Sequence, residues 1–275
     1  MTDGIAEIRF ARRGGTTRLL HLYQRDPLRV LFPAAAENDP PLAVIVTTSG
    51  GLVAGDRLDI DVGLTAGAVA QVTTSAAEKI YRSTGRTTTI KQDLSVEPGA
   101  VLEFLPLETI LFDGASLRRK TVVDLAPGAA FLGGDIVVFG RRARGERFSS
   151  GFLHGAWEVH DEGTLVWGDA LHLEGDVASI IDDPACFDGA AAFATLILAQ
   201  PKENPRELLE DARLLMSASQ TEGLRSGVTS IEGLMVARWL GADAAQVRRA
   251  YAELACHFRT TSLGLSRNLP RLWYV

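Results

Sequence analysis

The feature that most constrains this chain is a period of two in its apolar residues. In RLDIDVGL, Leu58, Ile60, Val62 and Leu64 alternate with Asp59, Asp61 and Gly63. Successive side chains of an extended backbone point to opposite faces, so this spacing puts the apolar set on one face. The same alternation surrounds Ile8 and Phe10, recurs at Ile90, Leu94 and Val96, and sets Trp157 and Val159 against Glu158 and His160. Glycine-containing turns separate the runs. The pattern predicts a mainly β chain through about residue 170, as antiparallel hairpins stacked into a two-layer scaffold.

A weak internal repeat supports this expectation. TAGAVAQV, EPGAVLEF and APGAAFLG share a Gly-Ala turn leading into an apolar run, and their glycines Gly67, Gly99 and Gly128 recur 32 and 29 residues apart. Each is expected to supply the positive φ of a tight turn. Three such turns suggest stacked layers.

The last third, residues 171–275, changes to a mixed pattern with two helices. Asn204-Pro205-Arg206-Glu207 reads as an N-cap, a proline at the first helical position and a capping-box carboxylate. Leu208, Leu209, Ala212, Leu215 and Met216 then share one face of a helix near 205–218. A second helix near 243–259 starts at Asp243 and carries Val247, Ala250, Tyr251, Leu254 and Phe258 at helical spacing. Between them, GLMVARWLG suits a buried strand. The Ala/Pro-rich segment 33–41 reads as a surface loop, and residues 1–275 as a single domain.

Charge and composition narrow the function. A formal net charge of -6 and a pI near 5.4 give no general attraction to phosphate backbones or anionic membranes. The opening MTDGIAEIRFARRGG lacks the apolar core of a signal peptide, so a cytoplasmic location is expected. Cys186 and Cys256 show no CxxC spacing and are expected to pack as buried thiols.

Motif chemistry is sparse. Ser49-Gly50-Gly51-Leu52-Val53-Ala54-Gly55-Asp56 lacks the Lys-Ser/Thr ending of a phosphate loop, and reads as a glycine-shaped turn with Asp56 bonding its backbone. His154, His160 and Asp169 fall in one β-patterned stretch, which leaves a β-scaffold metal-dependent hydrolase as the alternative function. Their spacing matches no compact ligand motif. The stretch Gly140 to Phe148 concentrates Arg141, Arg142, Arg144 and Arg147 in an acidic chain, a loop suited to docking an acidic partner. No GxSxG elbow is present.

The blocks TSGGLVAGDRL, VTTSAAEKIYRS and LEFLPLETILFDGA, followed by GRRARGERF, EGLMVARWLG and the terminal PRLW, resemble the UreD family, also called UreH. The resemblance implies a non-catalytic urease accessory protein that binds apo-urease and the accessory proteins UreF and UreG, with UreG supplying the GTPase. It also implies that nickel is handled transiently and that no cofactor is stably bound. Carboxylates within the matched blocks, Asp56, Glu108, Asp113 and Glu146, are then the candidates for a nickel path, since a passage needs oxygen ligands that release a borderline cation. Arg141, Arg142, Arg144 and Trp273 are the candidates for partner contact. Ala54, Glu78, Phe104 and Leu107 depart from common family residues, so no role resting on a glutamine at 107 transfers.

Overall fold

The structure is a computed structural model that describes residues 1–36, 39–200 and 205–274. The chain opens with β1 (Asp3–Arg13), β2 (Thr16–Arg25), β3 (Leu28–Leu31) and β4 (Leu42–Thr47). Eight strands follow: β5 (Arg57–Leu64), β6 (Val69–Thr74), β7 (Glu78–Ile80), β8 (Thr88–Val96), β9 (Val101–Phe104), β10 (Thr109–Leu111), β11 (Ser116–Leu125) and β12 (Ala130–Phe139). Next come β13 (Ser150–Asp161), β14 (Thr164–Asp176), the short helix α1 (Val177–Asp182) and β15 (Ala192–Ala199). Helix α2 (Pro205–Ala218), β16 (Leu224–Ile231), β17 (Leu234–Gly241) and helix α3 (Ala244–Thr261) complete the fold.

Two sheets face each other. One runs β14-β13-β11-β8-β5-β1-β2; the other runs β16-β17-β15-β12-β9-β6-β4-β3, with β7 and β10 attached beside β12. Between β4 and β13 the backbone crosses from one sheet to the other and back, so each turn of the chain adds a strand to both layers. The mainly β, two-layer scaffold is the expected one. Its central ladders, however, are parallel rather than antiparallel: β1, β5, β8, β11 and β13 all run the same way. Alternation reports which face a side chain takes but not the direction of the neighbouring strand, and a chain that crosses layers before returning re-enters each sheet in its original direction. Antiparallel pairs lie toward the ends of the stack, as in β1/β2, β3/β4 and β13/β14.

The stacking places like residues over like. Ile8, Val62, Leu94, Val123 and Val159 are register partners across five strands, and each is at most 1% exposed. Burying each such side chain contributes about 1.5–3 kcal/mol. The three repeat glycines sit at the corresponding corner of successive coils, with φ of 67°, 66° and 70°. There the Val101 N–H donates to Ala68 O at 2.9 Å and the Ala130 N–H to Ala100 O at 2.9 Å, joining one corner to the next.

A second core lies on the far side of the larger sheet, where α2 and α3 cover it. Leu208, Ala212 and Met216 of α2 join Val247, Tyr251, Leu254 and Phe258 of α3 against Leu196, Leu198 and Trp239. That sheet is thus covered on both faces, which is why β12 is buried along its whole length. The Asp243 side chain caps α3 by accepting from Ala245 N–H at 2.9 Å. The expected cap at Asn204 lies outside the described residues. β17 occupies GLMVARWLG as expected; of the segment 33–41, expected as a surface loop, 33–36 are irregular and exposed, whereas Asp39 and Pro40 tuck inward toward Arg259. Helix α1 was not expected; its six residues are too few to establish a helical period. The cysteine expectation needs correction, since Cys186 is exposed in the turn after α1 and Cys256 only half-buried. Cys186 belongs to a bend whose backbone folds onto Asp183 O (3.0 Å), leaving its side chain outside both cores.

Gly134 of β12 sits close against both the neighbouring strand β15 and helix α3. A Cβ there would stand 2.0 Å from Thr195 O and 2.8 Å from the Tyr251 hydroxyl. A Cβ at Gly99 would meet nothing within 4 Å, so the cost at that position is the positive φ alone. In urea denaturation, Gly99→Ala is expected to lower stability by about 1 kcal/mol, and Gly134→Ala by about 3 kcal/mol or more because the backbone must move. Equal losses at the two positions would contradict this packing.

Candidate functional site

Four sequence blocks far apart in the chain form one continuous edge. The segments that carry the backbone from the larger sheet back to the smaller one fall at 48–56, 75–87, 105–115 and 140–149. They stack in chain order. Leu52 N–H donates to Lys79 O (2.7 Å) and Tyr81 N–H to Leu52 O (2.9 Å). The next rung is joined by Glu78 N–H to Glu108 O (2.8 Å) and Phe112 N–H to Ile80 O (3.0 Å). Parallel pairing of β7 with β10 and of β10 with β12 extends the same edge, and Gly114 N–H reaches Ser150 O at 2.9 Å.

Each candidate carboxylate on this edge already has donors. Asp56 is 2% exposed and accepts from Thr2 N–H at 2.7 Å and Val53 N–H at 3.0 Å. Burial acts to raise its pKa, but those amides and the nearby N-terminal ammonium outweigh it and hold the group below the usual carboxylate value. Asp113 accepts from Ser149 N–H (2.9 Å), Ser150 N–H (3.1 Å) and Arg82 Nη2 (2.7 Å). Here too burial raises the pKa, and the serine amides with Arg82 more than reverse it. Glu146 accepts from Asp113 N–H at 3.2 Å and is ion-paired to Arg141. Glu108 pairs with Arg248 of α3 at 3.3 Å.

The four therefore separate. Asp113 and Glu146 are brought together, Glu108 turns toward α3, and Asp56 anchors the glycine turn against the chain start. Among the described residues, no group of three or more His, Cys, Asp or Glu side chains is placed to hold a metal ion.

The basic loop is also partly committed. Arg141 lies 4.0 Å over the Phe112 ring, which meets Tyr81 edge-on at 4.8 Å. Arg142 donates to Gly189 O at 3.3 Å. Arg144 is exposed and has no ion pair among the described residues. Trp273 is 4% exposed and stacks on Tyr251 at 5.5 Å, closing the second core. The residues of the hydrolase alternative do not meet. His154 and His160 stand six residues apart on β13, about 20 Å at strand rise. His154 faces His172, His160 lies 3.3 Å from Asp124, and Asp169 pairs with Arg238 at 2.8 Å.

Several polar groups of the interior were not singled out from sequence. Arg259 is 0% exposed and reaches Glu103 (2.7 Å), Asp39 (2.9 Å) and Ser266 O (2.8 Å). A signal for it existed, because 251, 254, 255, 258 and 259 continue one helical face onto which an arginine falls. Between the two sheets, Arg119 pairs with Asp135 and donates to the Thr109 hydroxyl at 3.0 Å. Glu78 accepts from the Thr47 hydroxyl, and burial pushes its pKa up to about 7.

The chain is thus a parallel β stack, covered by helices on one side and edged by four tightly bonded segments. A family model described as UreD urease accessory protein matches residues 2–274. Urease accessory protein UreD of Magnetococcus marinus is 45% identical over 275 residues, covering 99% of this chain and 94% of that protein. Urease accessory protein UreD 2 of Methylorubrum populi is 38% identical, covering 99% and 90% respectively, and Urease accessory protein UreD of Azorhizobium caulinodans is 39% identical, covering 94% and 91%. The chain belongs to the UreD urease accessory protein family, and its role is in urease maturation. Among the described residues, no helix is long and apolar enough to cross a membrane.

Glu78 gives the edge a pH dependence of known sign. Its folded pKa, about 7, lies above its ordinary value of 4.5, so ionising it opposes folding. Stability should fall as pH rises from about 4.5 through 7 and level off above. Glu78→Gln should remove that component, exceeding the parent by on the order of 2–3 kcal/mol at pH 8 and by nothing at pH 4. Paired denaturation curves at the two pH values test this; a pH-independent difference would refute it.

Proposed function

We propose that this chain is a cytoplasmic adaptor, not an enzyme, that binds apo-urease together with UreF and UreG and assists the entry of nickel into the urease metallocentre. The observation that carries the proposal is the stacked edge. Four blocks characteristic of the family are contiguous there although up to about ninety residues separate them in sequence. Nickel is cargo in this scheme, and no cofactor resides in the chain.

The chemistry of the edge suits transfer rather than storage. Carboxylate oxygens are competent ligands for a borderline divalent cation. Those of Asp113 and Glu146 are shared with amide and guanidinium donors, so an arriving cation must displace a hydrogen bond or an ion pair to bind. Such competition lowers affinity and favours release, as conduction between successive sites requires. Glu108, held by Arg248, and Asp56, held by the glycine turn, complete the proposed series. Arg141, Arg142, Arg144 and the segment around Trp273 are assigned to partner contact.

Coexpression with the urease subunits, UreF and UreG tests both parts. Omitting this chain should leave urease without nickel and without ureolysis. Glu108→Gln combined with Glu146→Gln preserves shape while removing two charges, each worth about 2 kcal/mol to a divalent cation 4 Å away in water. The double variant should assemble normally yet load nickel roughly tenfold more slowly. Normal loading would remove these residues from the path, and lost assembly would make them structural.

A further inference from the structure

The terminal segment 268–274 lies between two recesses of different character. On one side is a groove of about 900 Å³ bounded by Leu31, Phe32, Leu42, Leu269 and Leu272. On the other is a cleft of about 330 Å³ between this segment and α3, lined by Arg248, Arg249, Arg267, Trp273 and Tyr274. Asn268 and Tyr274 border both.

The cleft carries hydrogen-bond donors without acceptors. Trp273 is 4% exposed, and its Nε1–H is buried with no partner. Arg248 Nε is likewise buried and unpartnered, although its terminal nitrogens reach Glu108 at 3.3 Å and Leu272 O at 3.0 Å. A buried donor left unsatisfied costs about 1–3 kcal/mol, so the wall of the cleft is polar beneath its surface. Arg249 and Arg267 are exposed and have no ion pair among the described residues. Glu253 also lines the cleft, with its carboxylate occupied by the Ser219 hydroxyl at 2.6 Å. Counting Glu108, the cleft has three guanidinium groups against two carboxylates.

We infer that this cleft and the adjoining groove form one docking surface for an acidic segment of a partner protein, with carboxylates taken by the arginines and apolar side chains by the groove. The proposal rests on the adaptor role above and assigns it a surface. Charge complementarity selects the carboxylate, and the contiguous apolar groove selects a polypeptide over a free anion, which has nothing to place there. Trp273 is then a buried anchor whose ring, stacked on Tyr251, stiffens the cleft, with Arg248 5.6 Å over that ring.

The test uses the full chain and a fluorescent twelve-residue peptide in which glutamates alternate with leucines. Anisotropy should show binding that weakens with added salt. Arg249→Glu with Arg267→Glu should weaken it about tenfold or more, with unchanged thermal stability because neither arginine supports the fold. Arg57→Glu, at an exposed position of β5 outside both recesses, should leave it unchanged. Inorganic phosphate that fills the cleft while the peptide fails to bind would overturn the proposal in favour of a free-anion site. Equal weakening by Arg57→Glu would overturn it in favour of a general charge effect. In the coexpressed assembly, the Arg249/Arg267 reversal should lose a partner. If the complex forms normally with the reversal, the docking surface fails while the adaptor role stands; if the parent chain forms no complex, the adaptor role itself fails.

Discussion

Everything in this protein depends on the register of its parallel ladders. Each coil contributes one strand to each layer, so a single offset fixes where every side chain of the following coils falls. A slip of one residue would turn Val62, Leu94 and Val123 out of the core and bring Asp61, Asp93 and Val122 in. The repeat corners resist that slip. Their left-handed glycines set the angle at which each coil re-enters the larger sheet, and the hydrogen bonds from Val101 N–H to Ala68 O and from Ala130 N–H to Ala100 O lock successive corners together. The edge that carries the family blocks lies at the other ends of the same coils and inherits their spacing.

Buried charges pin the layers in a second way. Arg119 crosses from the smaller sheet to Asp135 and Thr109 of the larger one, and Arg259 reaches from α3 to Glu103 and Asp39. Removing one partner from such a pair leaves an uncompensated buried charge, typically costing about 3–5 kcal/mol. Apolar packing of the same volume could match the pairs in stability, but would not choose between neighbouring positions of a helix on a flat sheet. Arg259 makes that choice, because only one placement of α3 satisfies Glu103, Asp39 and Ser266 at once. Burial, the larger influence, still raises the Glu103 pKa to about 7 against the opposing pull of Arg259. The cluster is thus a constraint on geometry at some expense in stability.

Much of this was legible in the sequence. Alternation at residues 58–64 identified strand faces, the Gly67, Gly99 and Gly128 spacing measured the coil, and the face at 247, 250, 251, 254 and 258 placed α3 within two residues at its C-terminal end. Strand direction was not legible, since period two is the same in parallel and antiparallel ladders. Nor were the partners of individual carboxylates. Asp113 meets Ser149 and Glu108 meets Arg248 across separations of 36 and 140 residues. Such contacts follow from the coil register, which no local pattern encodes. The reading of Asp56 as a turn residue succeeded because its donor, Val53, is only three residues away.

That difference between local and distant partners bears on what the edge can do. A carboxylate bonded to its own turn, like Asp56, can be displaced only by disrupting that turn, so its contribution to a cation path is limited by the folding energy of the loop. Glu108 and Glu146 are held instead by arginine side chains, Arg248 of α3 and Arg141 of the same 140–149 segment. A guanidinium on a flexible stem can swing away when a divalent cation or a partner's carboxylate competes for it, leaving the backbone unmoved. Arg248 is common to Glu108 and to the cleft beside Trp273. An acidic segment that drew Arg248 toward the cleft would loosen its hold on Glu108, making that carboxylate more available to a cation. Partner binding and cation handling would then be linked through one side chain, with a coupling no larger than the ion pair it exchanges.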